Sequence, residues 1–142
     1  MIEPDINVLI NAFREDAPGF VRYREWLLDV ARGPEEFGLS DLVLSGFLRI
    51  VTSRATSSLD YDPAIALSFV EALRSRPNCV HVRPGPRQWE LFTSLCRQTG
   101  ARGKLIPDAY HAATAIEHGH DWISDDADFG RFPGLRWRRP FD

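Results

Sequence analysis

The chain has 142 residues, of which 44% are hydrophobic and 26% are charged, and its formal net charge is −3. This length suffices for one compact domain with one core, and the composition is that of a soluble globular protein rather than a disordered or fibrous one. No apolar run approaches the roughly 20 residues of a membrane span, and the N-terminus lacks the pattern of a signal peptide. We therefore expect a cytoplasmic protein in which residues 1–142 form a single domain without a membrane segment.

The charge and the cysteines constrain function only weakly. A net negative charge counts mildly against a nucleic-acid binder, but a metal site concentrates carboxylates locally, so the global charge is a poor guide. Lys104 is the only lysine, and every other basic residue apart from histidine is an arginine, which suits phosphate contacts but also follows from a GC-rich genome. We expect the thiols of Cys79 and Cys96 to be reduced, since nothing indicates export.

The first half of the chain predicts short strands that alternate with helices. We expect a strand at residues 1–4, a helix at 8–14, a longer helix that begins near Phe20 and ends at Gly33-Pro34, and a strand at 37–39. Ser40 is suited to cap a further helix, in which Val43, Phe47 and Val51 recur on one face. These elements follow in the order strand, helix, helix, strand, helix.

The second half continues the alternation. Asp62-Pro63 has the pattern of a helix start, with Ile65 on the expected inner face, and residues 79–83 alternate as a strand does. Trp89 faces inward in a predicted helix at 88–98, an alanine-rich helix follows at 108–118 and ends at Gly119, and short strands follow at 122–124 and 135–137. The alternation predicts an α/β fold with a mostly parallel sheet, although the short early helices leave an α+β fold open.

Several aspartates occupy positions where ligands collect in open parallel sheets, beyond the carboxyl ends of strands. Asp5 follows the first strand, Asp108 begins the alanine-rich helix, and Asp126 and Asp128 follow the strand that ends at Ser124. Carboxylates held together repel one another unless a cation neutralises them, and oxygen ligands suit Mg²⁺ or Mn²⁺. Such ions activate water and stabilise developing charge in phosphodiester cleavage. Each aspartate could instead be only a helix cap, a turn residue or part of a solvated loop.

Four segments resemble the PIN-domain family, and in particular its VapC-type toxin ribonucleases. These segments are MIEPDINVLI from Met1, DAYHAA from Asp108, SDDADF from Ser124 and FPGLRW from Phe132. The resemblance implies a three-layer α/β/α fold with a central, mostly parallel twisted sheet and an acidic pocket at its carboxyl edge. It also implies Mg²⁺- or Mn²⁺-dependent endoribonuclease activity, a homodimer, and a small VapB-type antitoxin as the partner.

The resemblance assigns roles to individual residues. Asp5, Asp108 and Asp126 match the acidic metal-site positions of the family. Asn7 matches the polar residue that supports the first aspartate, and Ser124 matches the small hydroxyl residue near the last one. Asp128 corresponds to a further acid that is frequent in the family.

Gly46 is the one clear departure from the family. It stands where the family usually has a glutamate on the helix after the second strand, and a glycine there costs about 1 kcal/mol of helix stability relative to alanine. The missing acid puts a second ion in doubt, so we predict one ion that is held mainly through Asp5 and Asp108. Asp41 does not replace the glutamate, because five residues earlier it lies on another helical face.

Two other functions remain open from the sequence. A phosphohydrolase of the haloacid dehalogenase type also begins with a strand and an aspartate, but it requires Asp-x-Asp, whereas Asn7 follows here, and a lysine near the phosphate, for which only Lys104 is available. A catalytically weakened PIN module that binds RNA or protein is the second. His111, one turn from Asp108, could face the pocket, and Arg49 could contact phosphates, although such residues more often serve packing or solubility.

Overall fold

The computed structural model describes residues 1–54 and 61–142, and in these ranges five parallel strands form one sheet. The strands are β1 (Ile2–Pro4), β2 (Phe37–Ser40), β3 (Cys79–Val82), β4 (Asp121–Ile123) and β5 (Arg136–Arg138). The helices are α1 (Ile6–Phe13), α2 (Phe20–Arg32), α3 (Asp41–Val51), α4 (Pro63–Arg74), α5 (Gln88–Thr99) and α6 (Leu105–His118), with a 3-10 helix at Ala127–Arg131. The α/β class and the three-layer α/β/α arrangement are thus confirmed, and the described sheet is wholly parallel.

The strand order β3-β2-β1-β4-β5 places β1 in the centre of the sheet. Pro4 pairs with Ile123 at the carboxyl ends of β1 and β4, and the backbone N–H of Asp5 donates to the Ile123 carbonyl at 2.8 Å. The residues that follow these two strands, Asp5 and Ser124, are therefore neighbours although they lie far apart in the sequence. The site begins at this edge.

A continuous apolar core holds the sheet between its helices. Its largest fully buried side chains come from every part of the fold, and burial of each contributes roughly 1.5–3 kcal/mol of hydrophobic stabilisation. They include Phe37, Phe47, Trp122, Ile123 and Phe129. Trp122 packs against Phe129, with 5.4 Å between ring centroids, so the strand that precedes the late aspartates and the 3-10 helix that follows them share one core.

Side-chain caps fix the beginning of three helices. The Ser40 side chain accepts a hydrogen bond from the N–H of Val43, as predicted, and Asp62 caps α4 by accepting from Ala64. Asp5 caps α1 in the same way, which explains why α1 begins at Ile6 rather than at residue 8. A cap of this kind contributes about 1 kcal/mol. Gly119 ends α6 with a φ of +68°, a conformation that favours glycine, and leads the chain into β4.

Several predicted details are wrong. The α6 helix begins at Leu105, so Asp108 lies within its first turn and is neither its first residue nor its cap. Ile65 and Trp89 point outward, with exposed fractions of 57% and 68%, because Ala66, Val70 and Leu95 occupy the inner faces of α4 and α5. The last two strands each shift by one residue. Such boundaries depend on tertiary packing, which overrides local periodicity.

The structure also bears on two further features of the chain, the state of its cysteines and the presence of membrane-spanning helices. Neither Cys79 nor Cys96 forms a disulfide, so both thiols are free. Among residues 1–54 and 61–142, no helix has the length and hydropathy to cross a membrane.

Candidate active site at the carboxyl edge of the sheet

Asp5 is the most deeply buried acid of the site, with an exposed fraction of 6%. Its Oδ1 accepts a hydrogen bond of 2.7 Å from the N–H of Ile6, and its Oδ2 accepts from Asn7 Nδ2 at 2.9 Å and from Ser124 Oγ at 2.6 Å. Three donors of the chain therefore fix the orientation of this carboxylate before any ligand binds.

Ser124 connects the two halves of the site. Besides donating to Asp5, its Oγ accepts from Asn7 Nδ2 at 3.0 Å and from the N–H of Asp126 at 3.1 Å. One donor and two acceptor positions are what a hydroxyl offers, so all are used, and Ser124 is fully buried. The roles expected for Asn7 and Ser124, support of the acids, match these contacts.

Asp125 anchors the loop that carries Asp126, and sequence reasoning missed this role. Its Oδ2 accepts from Tyr23 Oη at 2.7 Å and its N–H donates to Asn7 Oδ1 at 3.3 Å. Burial, together with the adjacent Asp125 carboxylate, raises the pKa of Tyr23 to about 12, so the phenol stays protonated and donates. The only signal in the sequence was the position of Asp125 between two assigned residues, and nothing there indicated Tyr23 as its partner.

Asp108 joins the site from the first turn of α6. Its carboxyl is half buried, and its pKa is raised to about 6, first by burial and then by the charge of Asp126, while Lys104 opposes the shift. The pKa of Asp5 is also raised to about 6, mainly by burial, with smaller contributions from Asp108 and Asp126. The structure therefore brings the three predicted acids close enough for their charges to interact.

Asp126 and Asp128 lie on the exposed side of the site. Asp126 caps the 3-10 helix by accepting from the N–H of Asp128 at 2.9 Å. The Lys104 ammonium lies 3.7 Å from Asp126 Oδ2 and 3.5 Å from Asp128 Oδ2, and its own pKa is raised, first by the charge of Asp126 and then by that of Asp128. Since Lys104 is 76% exposed, this pairing is loose and screened by solvent.

Gly46 lies against Ile6, the residue that follows Asp5, where α3 approaches α1. A Cβ at this position would come within 2.6 Å of Ile6 Cδ1, so glycine permits the close approach of the two helices. Gly46, Ile6 and Pro107 also border a cleft of about 370 Å³ next to the site. The departure from the family pattern thus has a structural effect: the Ile6 side chain packs where a side chain at position 46 would begin.

The donor set fits a hard divalent cation. Carboxylate oxygens are the preferred ligands of Mg²⁺ and Mn²⁺, and a cation would relieve the repulsion that helps to raise the pKa of Asp5 and Asp108. Within the described ranges, no group of three or more His, Cys, Asp or Glu side chains is placed so that it could hold a metal ion. An ion shared by these acids would therefore require their carboxylates to move closer together, and Asp126 lies near Lys104 instead.

The sequence matches a family model over nearly its whole length. The PIN domain model covers residues 2–135. A protein named VapC ribonuclease Mb2897 from Mycobacterium bovis is 41% identical over 142 residues, which cover 100% of this chain and 97% of that protein. Ribonuclease VapC25 from Mycobacterium tuberculosis is 38% identical, with 96% of each chain covered.

Solved structures share the fold at much lower sequence identity. VapBC2 from Rickettsia felis, solved with a DNA fragment from its promoter, aligns with a TM-score of 0.68 and 18% identity, and covers 98% of both chains. VapC20 from Mycobacterium tuberculosis, described as a Sarcin-Ricin loop cleaving toxin, aligns with a TM-score of 0.66 and 16% identity over 96% of this chain and 99% of that one. The similarity spans the sheet and its helices, and favours the PIN resemblance over the phosphohydrolase alternative.

Proposed function

Because this chain belongs to the PIN-domain family, we propose that it is a divalent-metal-dependent endoribonuclease and the toxin of a toxin–antitoxin pair. The observation that supports the proposal most is the 41% identity to a named VapC ribonuclease, in a chain whose Asp5 and Asp126 are joined through Ser124 Oγ at one edge of the sheet and whose Asp108 contributes to the raised pKa of Asp5. In the proposal the whole chain acts as one PIN-like domain.

Asp5, Asp108 and Asp126 would hold one Mg²⁺ or Mn²⁺ ion, with Asp128 as an accessory acid. Such an ion supplies activation of water and charge stabilisation for the cleavage of a phosphodiester bond. The chain's own residues contribute orientation: Asn7 and Ser124 fix the Asp5 carboxylate by hydrogen bonds of 2.9 and 2.6 Å. Fixed ligands lose little freedom on binding, which favours a preorganised site.

RNA would approach the acids across the cleft beside Gly46. A cluster of carboxylates repels a polyanion, so cationic side chains nearby are needed to hold the phosphates. Arg49 borders this cleft and is exposed, and arginine pairs well with phosphate oxygens.

A small VapB-type antitoxin is the proposed partner, and a homodimer is the proposed assembly. The similar VapBC2 structure is of a toxin–antitoxin pair. The acids already accept one cationic side chain, Lys104, on Asp126 and Asp128. An arginine from an antitoxin tail would pair with the same carboxylates through its fixed fork and block the site. Purification of the tagged chain from its host should recover a small partner at constant stoichiometry, and recovery of the chain alone would contradict this part of the proposal.

Sequencing of RNA 5′ ends after brief expression tests the enzymatic proposal in cells. Expression of the chain should create new ends at defined positions, and Asp5→Asn should abolish them. Asp29→Asn, which removes an exposed carboxylate on α2, is the matched control and should cleave as the parent does. Identical ends for the parent and Asp5→Asn would overturn the proposal.

A second candidate is a PIN module that binds RNA with little cleavage. The observation that favours it is Gly46, which leaves the site without the glutamate usual in the family. Retained RNA binding by a purified chain that does not cleave in saturating Mn²⁺ would support this alternative.

A further inference from the structure

The cleft beside the acids has two walls from different helices. On one side α3 contributes Gly46 and Arg49, which lie one turn apart, and on the other side α6 contributes Pro107 and His111. Ile6, which directly follows Asp5, also lines the cleft, and Pro107 directly precedes Asp108. A molecule in this cleft would therefore lie next to the two most strongly perturbed acids of the site without displacing them.

The His111 side chain lines the cleft and forms no hydrogen bond with any residue that the structure describes. It is 7% exposed, and its ring stacks on Trp122 with 5.3 Å between centroids. Its ring nitrogens are not among the fully buried unpaired side-chain atoms of the described residues, of which Trp122 Nε1 is the only one, so they remain accessible to a ligand in the cleft. Burial lowers the pKa of His111 to about 4, so the ring is neutral at pH 7 and offers one donor and one acceptor.

Arg49 gives the cleft a positive charge. It is exposed and forms no ion pair with any residue in the described ranges, whereas Arg74, at the end of α4, pairs with Asp41 at 3.1 Å. Gly46, one turn before Arg49, adds no side chain to this wall, and the Ile6 side chain packs against it. The cleft therefore combines a cation with a neutral imidazole that has no hydrogen bond to a described residue.

We propose that this cleft is a nucleotide subsite, in which His111 forms a hydrogen bond with the edge of one base and Arg49 binds the adjoining phosphate. The inference deepens the proposed ribonuclease function, on which it rests, by assigning base preference next to the cleaved bond to His111. A base offers in-plane donors and acceptors that match a neutral imidazole, and single-stranded RNA exposes such edges. The phosphate contact carries no sequence preference, so the two residues have separable roles.

Titration of the Mg²⁺-loaded protein with each of the four ribonucleoside 5′-monophosphates, followed by NMR of the histidine ring nitrogens, tests this subsite. We expect at least one nucleotide to shift the His111 ring signals and to leave those of His81 unchanged. Inorganic phosphate should bind more weakly and leave the His111 ring unshifted. This measurement on the parent protein stands even if a variant fails to fold.

Two substitutions separate the contribution of His111 from that of Arg49. His111→Phe keeps a ring on Trp122 but removes the ring nitrogens. The ratio of binding affinities between the most tightly and the most weakly bound nucleotide should therefore fall about 2- to 10-fold, as expected for one hydrogen bond. Arg49→Gln should weaken the binding of all four nucleotides and of phosphate by the same factor, about 10-fold, as expected for the loss of a charge-assisted contact. Arg102→Gln, which removes an exposed positive charge from the loop before α6, should change nothing.

The outcomes distinguish this inference from the proposed function. If nucleotides bind without shifting the His111 ring signals, and bind the parent and Arg49→Gln with equal affinity, the subsite is overturned even if the protein cleaves RNA. The absence of any nucleotide binding at millimolar concentration would overturn it as well. Binding that follows the expected pattern in a chain that cleaves no RNA would support the subsite and contradict the ribonuclease.

Discussion

Ser124 Oγ donates a hydrogen bond of 2.6 Å to Asp5 Oδ2 and so joins the carboxyl ends of the adjacent strands β4 and β1. The same oxygen accepts from the N–H of Asp126. Two acids that are 121 positions apart are thereby held by one buried hydroxyl. This bond also lowers the pKa of Asp5 against the larger effect of burial, which raises it to about 6.

Ser124→Ala should weaken the site without removing an acid. The change leaves Asp5 Oδ2 with only Asn7 as a side-chain donor, raises the Asp5 pKa further, and leaves the Asp126 N–H without its acceptor. Loss of a hydrogen bond to a charged group costs about 1.5–3 kcal/mol, so we expect Mn²⁺ affinity to fall roughly 10- to 100-fold in calorimetric titration. Ser124→Thr retains the hydroxyl and is the control, and equal loss in both variants would show that packing, not the hydrogen bond, matters.

Mn²⁺ affinity should depend strongly on pH. The pKa of both Asp5 and Asp108 is raised to about 6, so protons compete with the ion below that pH. Since metal binding requires the deprotonated carboxylates, the affinity should be nearly constant above pH 7 and fall roughly 10- to 100-fold between pH 7 and pH 5, with release of protons on binding. Titrations in two buffers of different ionisation enthalpy measure that release, and a flat profile between pH 5 and pH 7 would contradict the assignment.

Lys104→Met should tighten Mn²⁺ binding. The Lys104 ammonium lies on Asp126 and Asp128 and competes with the ion for their charge. Because this ammonium is exposed, the gain in affinity should be only roughly 2- to 5-fold at low salt and should diminish as salt screens it. Lys104→Arg keeps the charge and Arg102→Met removes a nearby one, and neither should reproduce the effect. Unchanged affinity in Lys104→Met would show that the ion does not use these two acids.

Gly46→Glu tests the departure from the family. A carboxylate at this position should raise Mn²⁺ affinity about 10-fold, because affinity for such ions rises with the number of charged ligands. The helix also gains about 1 kcal/mol of propensity, although Ile6 must move, since its Cδ1 lies 2.6 Å from the added Cβ. Gly46→Ala controls for both of these effects. Two tightly bound ions in the parent, or equal affinity in the Ala and Glu variants, would show that position 46 does not face the ion.

Much of the fold follows from local signals in the sequence. The Ser40 and Asp62 caps, the Gly119 terminator and the alternation of strands and helices predict the parallel α/β architecture, because these signals act within a few residues. Trp89 and Ile65 contradict the predicted inner faces, since the choice of buried face depends on partners from distant segments. The start of α6 at Leu105 was likewise unpredictable, because its N-cap residue, Lys104, forms no side-chain cap.

The family resemblance indicated the acids of the site and two of their supports, Asn7 and Ser124, but not the support of Asp125. Asp5 and Asp108 follow recognisable patterns, and the charge of Asp108 contributes to the raised pKa of Asp5. The anchoring of Asp125 by Tyr23 depends on a contact across 102 positions, which no local pattern encodes. The unpaired state of His111 depends equally on what surrounds it in three dimensions.

Cleavage of a labelled RNA by the purified chain tests the central claim most directly, with reactions in Mn²⁺, in excess EDTA, and in EDTA followed by restored Mn²⁺. We expect cleavage in Mn²⁺, its loss in EDTA and its return on restoration, while Asp5→Asn cleaves at least 100-fold more slowly, as expected for a lost electrostatic ligand. Thermal unfolding of Asp5→Asn should show an intact fold. Undiminished cleavage in excess EDTA, or parent-level cleavage by folded Asp5→Asn, would contradict a metal-dependent site built on Asp5.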